Sequence, residues 1–330
     1  MQRALALGLL LGGSATARAD VTVGVQLTPD GQMLAHQLGV TPDQLASKLH
    51  DRVESVMGTD GGSLQRFSDA AVLSSHGLGV DYVSVPESLI VGVAANAASA
   101  NGDVPSSIGG GLAANVALMA GMNLSPWHLP RWTIYGSGFY RSETIKDVTG
   151  HITNAGAHLQ YALIPASEGG GVARWTGVQL TTGLELTRWT LGTTRAMSTA
   201  FTVMGSQGSA KLGYDSTGSL ELGSTSVDVP VELSTGIRLA VVSFYTGVGL
   251  DLTQGQGTID AHLSGPLHDA DGRMLGTVTI DGHDSRGASP FTPRAFTGVQ
   301  LDAWKLKVFG HVNATADSAA SVGIGVRGVL

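Results

Sequence analysis

The tetrapeptide Ser74-Ser75-His76-Gly77 sets a histidine directly after two serines, the residue types of a nucleophile and its general base. A second histidine, His158, shares the parity of Asn154 and Gln160 in an alternating stretch. A Ser-His-acid site needs its members within hydrogen-bond reach, and linear spacing does not supply that here. With 10 histidines in the chain, adjacency to serine is expected by chance, so no catalytic residue and no enzyme are predicted. "HDADGR" (268–273) and "DGHDS" (281–285) gather Asp269, Asp271, Asp281 and Asp284 with two histidines. Carboxylates one residue apart suit Ca²⁺, but the first run lacks the downstream Glu of a calcium loop. The expectation is a solvated external loop without metal. "IGGGL" and "GVGLDLTQGQG" are glycine-rich, yet no helix follows either, so neither a phosphate site nor a cofactor is predicted.

What remains is chemistry spread along strands. In residues 227–253, Val227, Val229, Val231, Leu233, Ile237 and Leu239 fall on one parity, and Asp228, Glu232 and Arg238 on the other. Beyond a phase flip, Val242, Phe244, Val248, Leu250 and Leu252 alternate with Ser243, Tyr245 and Asp251. Period-two alternation of this length specifies strands with one apolar and one polar face. A turn at Ala240-Val241 sets Leu239 opposite Val242 and Gly236 opposite Tyr245; a turn at 234–236 with a later bulge is the competing register. Residues 296–314 repeat the logic, with Gln300, Asp302, Lys305, Lys307, His311 and Asn313 on the polar side. A turn at Ala303-Trp304 would bring Asp302 across from Lys305. Two readings of the polar face stay open: a water-facing surface over an apolar core, or a polar lumen inside an apolar exterior. On the second, the lining set is His158, Glu185, Asp228, Glu232, Arg238, Tyr245, Asp251, Asp302, Lys305, Lys307 and His311.

The elements that must carry these residues follow from pattern and composition. Many alternating runs between about 70 and 330 reach ten or more residues, the length at which a tilted strand crosses a bilayer. Gly 47 is about twice the usual share and charged residues make up only 14%. Trp127, Trp132, Tyr135, Tyr140, Trp175, Trp189 and Trp304 sit near strand ends, where an interfacial girdle belongs. Residues 20–69 differ: Thr41 is a good N-cap, Pro42 a first helical residue, and Leu45, Leu49, Val53 and Val56 recur at helical spacing up to Gly58. Residues 1–19, with Arg3, an apolar run from Leu5 to Leu11 and Ala17-Arg18-Ala19, read as a secretory signal peptide. Its removal leaves 17 Lys and Arg against 26 Asp and Glu, a balance that excludes a nucleic-acid partner. Cys is 0, compatible with an exported fold closed by sheet hydrogen bonds instead of disulfides.

The terminal "SVGIGVRGVL", with Val322, Ile324, Val326 and Leu330 on one parity, resembles the last strand of bacterial outer-membrane β-barrel proteins. Leu330 and Gly328 stand where those proteins usually carry aromatics. The resemblance implies an all-β, antiparallel up-and-down transmembrane barrel over 70–330, with a periplasmic or plugging segment at 20–69. Length divides into about 14 strands, with 12 to 16 permitted. The implied setting is the outer membrane of a Gram-negative bacterium. The implied partners are its lipid, the barrel-assembly machinery through the C-terminal strand, and small solutes. The function expected is passive passage of small solutes. The alternatives are a non-conducting structural or adhesive barrel acting through residues 254–290, and a lipid-modifying barrel enzyme. Mass spectrometry of the exported protein should find its mature N-terminus at Asp20; an N-terminus retaining residues 1–19 would remove the signal-peptide reading.

Overall fold

The computed structural model describes residues 20–47, 62–83, 89–100, 111–167 and 172–329. In chain order these form β1 (Asp20–Leu27), helix α1 (Pro29–Leu38), helix α2 (Gly62–Leu73), β2 (Leu89–Ala100) and β3 (Gly111–Leu124). There follow β4 (Leu129–Ile145), β5 (Val148–Ile164), β6 (Ala173–Met204), β7 (Ser209–Leu239) and β8 (Val242–His268). The last are β9 (Met274–Gly287), β10 (Phe291–Ala303), β11 (Leu306–Thr315) and β12 (Ala319–Val329). All described pairings are antiparallel.

The sheet closes. Walking from β2 through β3, β4, β5, β6, β7, β8, β10, β11 and β12 returns to β2, because β12 pairs β2 and β7 pairs β8. The twelve described strands lie at the low end of the expected 12 to 16, and ten of them form the ring. The count by length overshot because β6, β7 and β8 have 32, 31 and 27 residues, where about ten suffice for a crossing. Their surplus projects past one rim of the ring. There β9 pairs the second half of β8, and β1 pairs β9. Helix α1 lies on this projecting sheet, with Val21, Leu38, Leu45, Val203, Leu212, Leu267 and Val278 in a separate apolar core. Residues 254–290 are therefore the β8–β9 hairpin of the projection. The helix expected from Thr41 begins as read, with Gln44 and Thr41 capping each other reciprocally; Leu49, Val53, Val56 and Gly58 lie outside the described residues.

The two faces are inverted relative to a water-soluble protein. Outward-facing Val93, Leu118, Leu159, Leu184, Leu233, Val248, Val322 and Ile324 are exposed, while Asn96, Asn115, Gln160, Asp228, Ser243 and Asn313 are buried inside. This is the arrangement of a membrane-spanning barrel, with lipid contacting the apolar face and the strands hydrogen-bonded into a closed ring. Trp127, Trp175 and Trp304 are exposed at the short-turn end, and Trp132 packs on Tyr161 there. Tyr135 and Trp189 depart from the expected girdle: Tyr135 points into the lumen and Trp189 meets Phe67 edge-on.

The hairpin register at Ala240-Val241 is as expected, with Leu239 opposite Val242, Arg238 opposite Ser243 and Gly236 opposite Tyr245. Ala240 takes φ 52 to make this turn, a left-handed value that disfavours a side chain. The 303–306 turn differs by one residue. Trp304, at φ 57, and Lys305 form it, so Asp302 faces Lys307 and not Lys305.

Many of the glycines have a packing reason. Tyr135, Tyr245, Phe296 and Phe309 each lie directly across from a glycine: Gly121, Gly298, Gly247 and Gly325. A Cβ on any of these four would collide with the facing ring. The aromatic ring covers the bare backbone and bends inward, the packing that curved sheets use. Gly298→Val should therefore destabilise the barrel by about 1–3 kcal/mol. The measurement is the urea midpoint of the heat-modifiable folded band on a gel, and an unchanged midpoint would show that Tyr245 can yield.

Candidate functional site

The lumen is filled by the chain itself. Helix α2 enters at the rim that carries the projection, and residues 74–83 continue to the short-turn end. Leu64, Phe67, Ser68, Ala70, Ala71, Leu73, Ser74, His76, Leu78, Val80, Asp81, Tyr82 and Val83 are all buried. The expected division at residue 69 thus falls within α2, and the first ring strand starts at Leu89. Room for the helix comes from small wall residues: Ala70 and Ala71 pack on Ala98, Ala100, Ala113 and Ala319. Higher up, Leu64 and Phe67 pack on Leu222 and Ile259. Below the helix, Gly77 adopts φ 77 and lies flat against the His311 ring, where any Cβ would clash.

His76 is the hub of the buried polar contacts. Its Nδ1 lies 3.1 Å from Glu185 Oε2; its Nε2 lies 3.2 Å from Asp251 Oδ2 and 3.8 Å from Asp228 Oδ2. His158 Nε2 is 3.4 Å from Glu185 Oε1, and Ser75 donates to Glu185 at 2.6 Å. Arg294, fully enclosed, donates from Nε to both Asp251 oxygens, from Nη2 to Glu232 and from Nη1 to Asn313. Asn96 donates to the His76 carbonyl at 3.0 Å, tying the threaded segment to β2. One ring nitrogen of His76, an oxygen of Glu185 and an oxygen of Asp228 all lie within 4.8 Å of one another.

Toward the short-turn end a second layer forms. Tyr82 packs against Tyr245, His311 and Phe296, with ring centroids at 5.3, 5.6 and 4.8 Å. Its hydroxyl donates to Glu232, and Tyr245 Oη meets His311 Nδ1 at 3.0 Å. Arg327 covers the Phe309 ring at 3.7 Å, pairs Asp81 at 3.4 Å and donates to the Val80 carbonyl. At the opposite rim, Asp69 accepts from the amide and hydroxyl of Ser289. Burial pushes the Asp69 carboxyl above its ordinary range against these two donors.

Of the residues expected to line the lumen, His158, Glu185, Asp228, Glu232, Tyr245, Asp251, Lys307 and His311 are inside and buried. His158, Glu185, Asp228, Glu232, Tyr245, Asp251 and His311 meet the threaded segment or one another. Asp302 pairs Arg238 at 2.8 Å near the short-turn rim, with Arg238 about one-third exposed. Lys305 is a correction: it lies on the exposed turn, 5.8 Å over the Trp304 ring, because that turn is one residue later than expected. Sequence reasoning missed Arg294, Arg327, Asp81 and Tyr82. The legible signal was the lumenal parity of β2 and β3, with Ala94, Asn96, Ala98, Ala100, Ala113, Asn115 and Ala117, side chains too small to fill a lumen by themselves.

Ring closure, an apolar exterior and a polar interior define the class: an outer-membrane-type β-barrel, threaded by its own N-terminal segment. The chain matches the Lsa36-like family over residues 16–330 and belongs to it. No curated protein sequence matches it. Among solved structures it is similar to the translocator domain of the autotransporter NalP from Neisseria meningitidis. That match has 10% identity, covers 85% of this chain and 98% of the other, and has a TM-score of 0.28. It is also similar to the toluene transporters TbuX of Ralstonia pickettii (7%, 80% and 93%, TM-score 0.27) and TodX of P. putida (9%, 82% and 92%, TM-score 0.25). At scores this low the class rests on the strand pairing itself.

Removing one member of the Arg294 cluster strands its partners. Arg294→Ala should cost about 3–5 kcal/mol of barrel stability, because Glu232 and Asp251 stay buried without their cation. Adding Glu232→Gln and Asp251→Asn should recover much of the loss. Equilibrium refolding in detergent measures both, and additive losses would show that the three side chains do not act together.

Proposed function

We propose that the protein is an occluded outer-membrane barrel of a Gram-negative bacterium, which anchors the β1–α1–β9 projection at the membrane and does not conduct at rest. The observation that carries this reading is the burial of residues 67–83, Asp69 excepted, within the lumen. Bacterial barrels keep short turns on the periplasmic side and long connections outside. The turns at 125–128, 240–241 and 304–305 share one end, and the projection stands at the other. On this orientation the projection faces the exterior, and the chain runs inward through its own barrel before the first ring strand begins.

A second reading, a gated path for small solutes, is favoured by one feature. Below Leu73 the segment makes buried polar and ionic contacts through His76, Asp81 and Tyr82 beside the apolar packing of Leu78, Val80 and Val83, and its release would uncover Asp228, Glu232, Asp251 and His311. At the Ser-Ser-His run of the enzymatic alternative, Ser74 Oγ donates to the Ala71 carbonyl, and Ser75 Oγ lies 2.8 Å from the Val72 carbonyl and 2.6 Å from Glu185 Oε2. Planar-bilayer recordings of the refolded full chain separate the readings. Silence is the expected result, with discrete steps emerging after Asp81→Ala and Tyr82→Ala loosen the lower layer. Steady open steps from the unaltered protein would overturn the occluded barrel.

A further inference from the structure

The groups around His76 are short of positive charge. Glu185, Asp228, Glu232 and Asp251 form one buried patch; Arg294 pairs Glu232 and Asp251, while the ion pairs of Glu185 and Asp228 are with histidines. Several polar atoms of the patch have no hydrogen-bond partner although they are enclosed. These are both ring nitrogens of His76, both of His158, Asp228 Oδ2 and Glu232 Oε2. Carboxylate oxygens of Glu185 and Asp251 lie 3.1 and 3.2 Å from the two His76 nitrogens. Burying unmatched carboxylates is costly unless a cation joins them.

We propose that His76, Glu185 and Asp228 bind one divalent transition ion, Zn²⁺ by their nitrogen and oxygen donors, which pins the threaded segment to strands β6 and β7. One imidazole and two carboxylates are a donor set that zinc accepts. Tetrahedral bonds of about 2.1 Å place ligand atoms about 3.4 Å apart. The triad lies within 4.8 Å, so closure draws its atoms together by up to about 1.4 Å. Ser75, donating to Glu185, and Thr253, donating to Asp228 at 2.5 Å, hold the carboxylates in place. A route in exists: a cavity of about 360 Å³ runs from Gln65, Asp69 and Asp317 at the rim down to His76 and Asp251. The inference deepens the occluded-barrel reading, since the ion would join the occluding segment to two wall strands at mid-lumen.

The test uses the refolded full chain in detergent, stripped with a chelator, titrated with Zn²⁺ by calorimetry and assayed for bound metal. One tightly held zinc per chain is expected, with a rise in thermal midpoint. His76→Gln and Glu185→Gln should each weaken binding at least tenfold. His262→Ala/His283→Ala, which removes the exposed pairs with Asp281 and Asp260, should leave the tight site intact. Heat-modifiability on a gel verifies folding of each variant, and Asp228→Asn carries the same expectation should His76→Gln not refold. Absence of tight zinc in the unaltered chain, or equal binding by His76→Gln, overturns the site. Failure of the site and failure of the occluded barrel are separable. A silent, zinc-free protein would sink the metal site alone, whereas conduction by a zinc-loaded protein would sink occlusion and leave the site standing.

Discussion

The structure depends on keeping charges matched where water has been excluded. Arg294 lies enclosed between Glu232 and Asp251, with Asn313 on its third donor. In an open lumen these side chains would be hydrated and the pairing worth little. Once residues 64–83 fill the lumen, each carboxylate needs a partner or a donor. His76, Ser75, Tyr82 and Thr253 come from the threaded segment and the wall to meet that need. The polar lining, the plug and the barrel are therefore one interdependent arrangement.

The same constraint accounts for the composition. A ring of ten strands is narrow, and a helix fits inside only where the wall is built from small residues. That is why β2 and β3 alternate alanine and asparagine inward with valine and leucine outward. Further down, where the chain leaves the helical state, its cross-section shrinks and aromatic rings fill the difference. Tyr82, Tyr245, Phe296 and His311 pack there, and glycines opposite four wall aromatics in this layer and beside it let the rings turn inward. The high glycine count is thus largely a consequence of enclosing rings within a curved sheet.

Strand length serves a different end. β6, β7 and β8 run well past the ring, and their surplus would be an open sheet with a bare edge. β9 and β1 extend that sheet, and α1 with Leu45 seals one of its faces. The first described strand thus sits in the projection, on the far side of the lumen from the start of β2. The chain must pass through the barrel to join the two, so occlusion of the lumen and construction of the projection are consequences of one topology.

The sequence by itself determined what depends on local periodicity. Alternation along 227–253 and 296–314 fixed the strands and assigned Asp228, Glu232, Tyr245, Asp251 and His311 to one face, because side chains alternate along a regular strand. It offered the Ala240-Val241 register beside a turn at 234–236, and the structure chose the first. The turn at Trp304-Lys305 escaped it by one residue, and Lys305 fell outside the lumen as a result. Which face met water, and what filled the lumen, only the tertiary structure decided. His76, Asp81 and Tyr82 belong to an irregular stretch without a period, and their partners are some 100 to 250 residues away in the chain. Arg294 and Arg327 look like ordinary strand cations until closure of the ring sets them inside. Contacts of that range come from ring closure and threading, which no local pattern encodes.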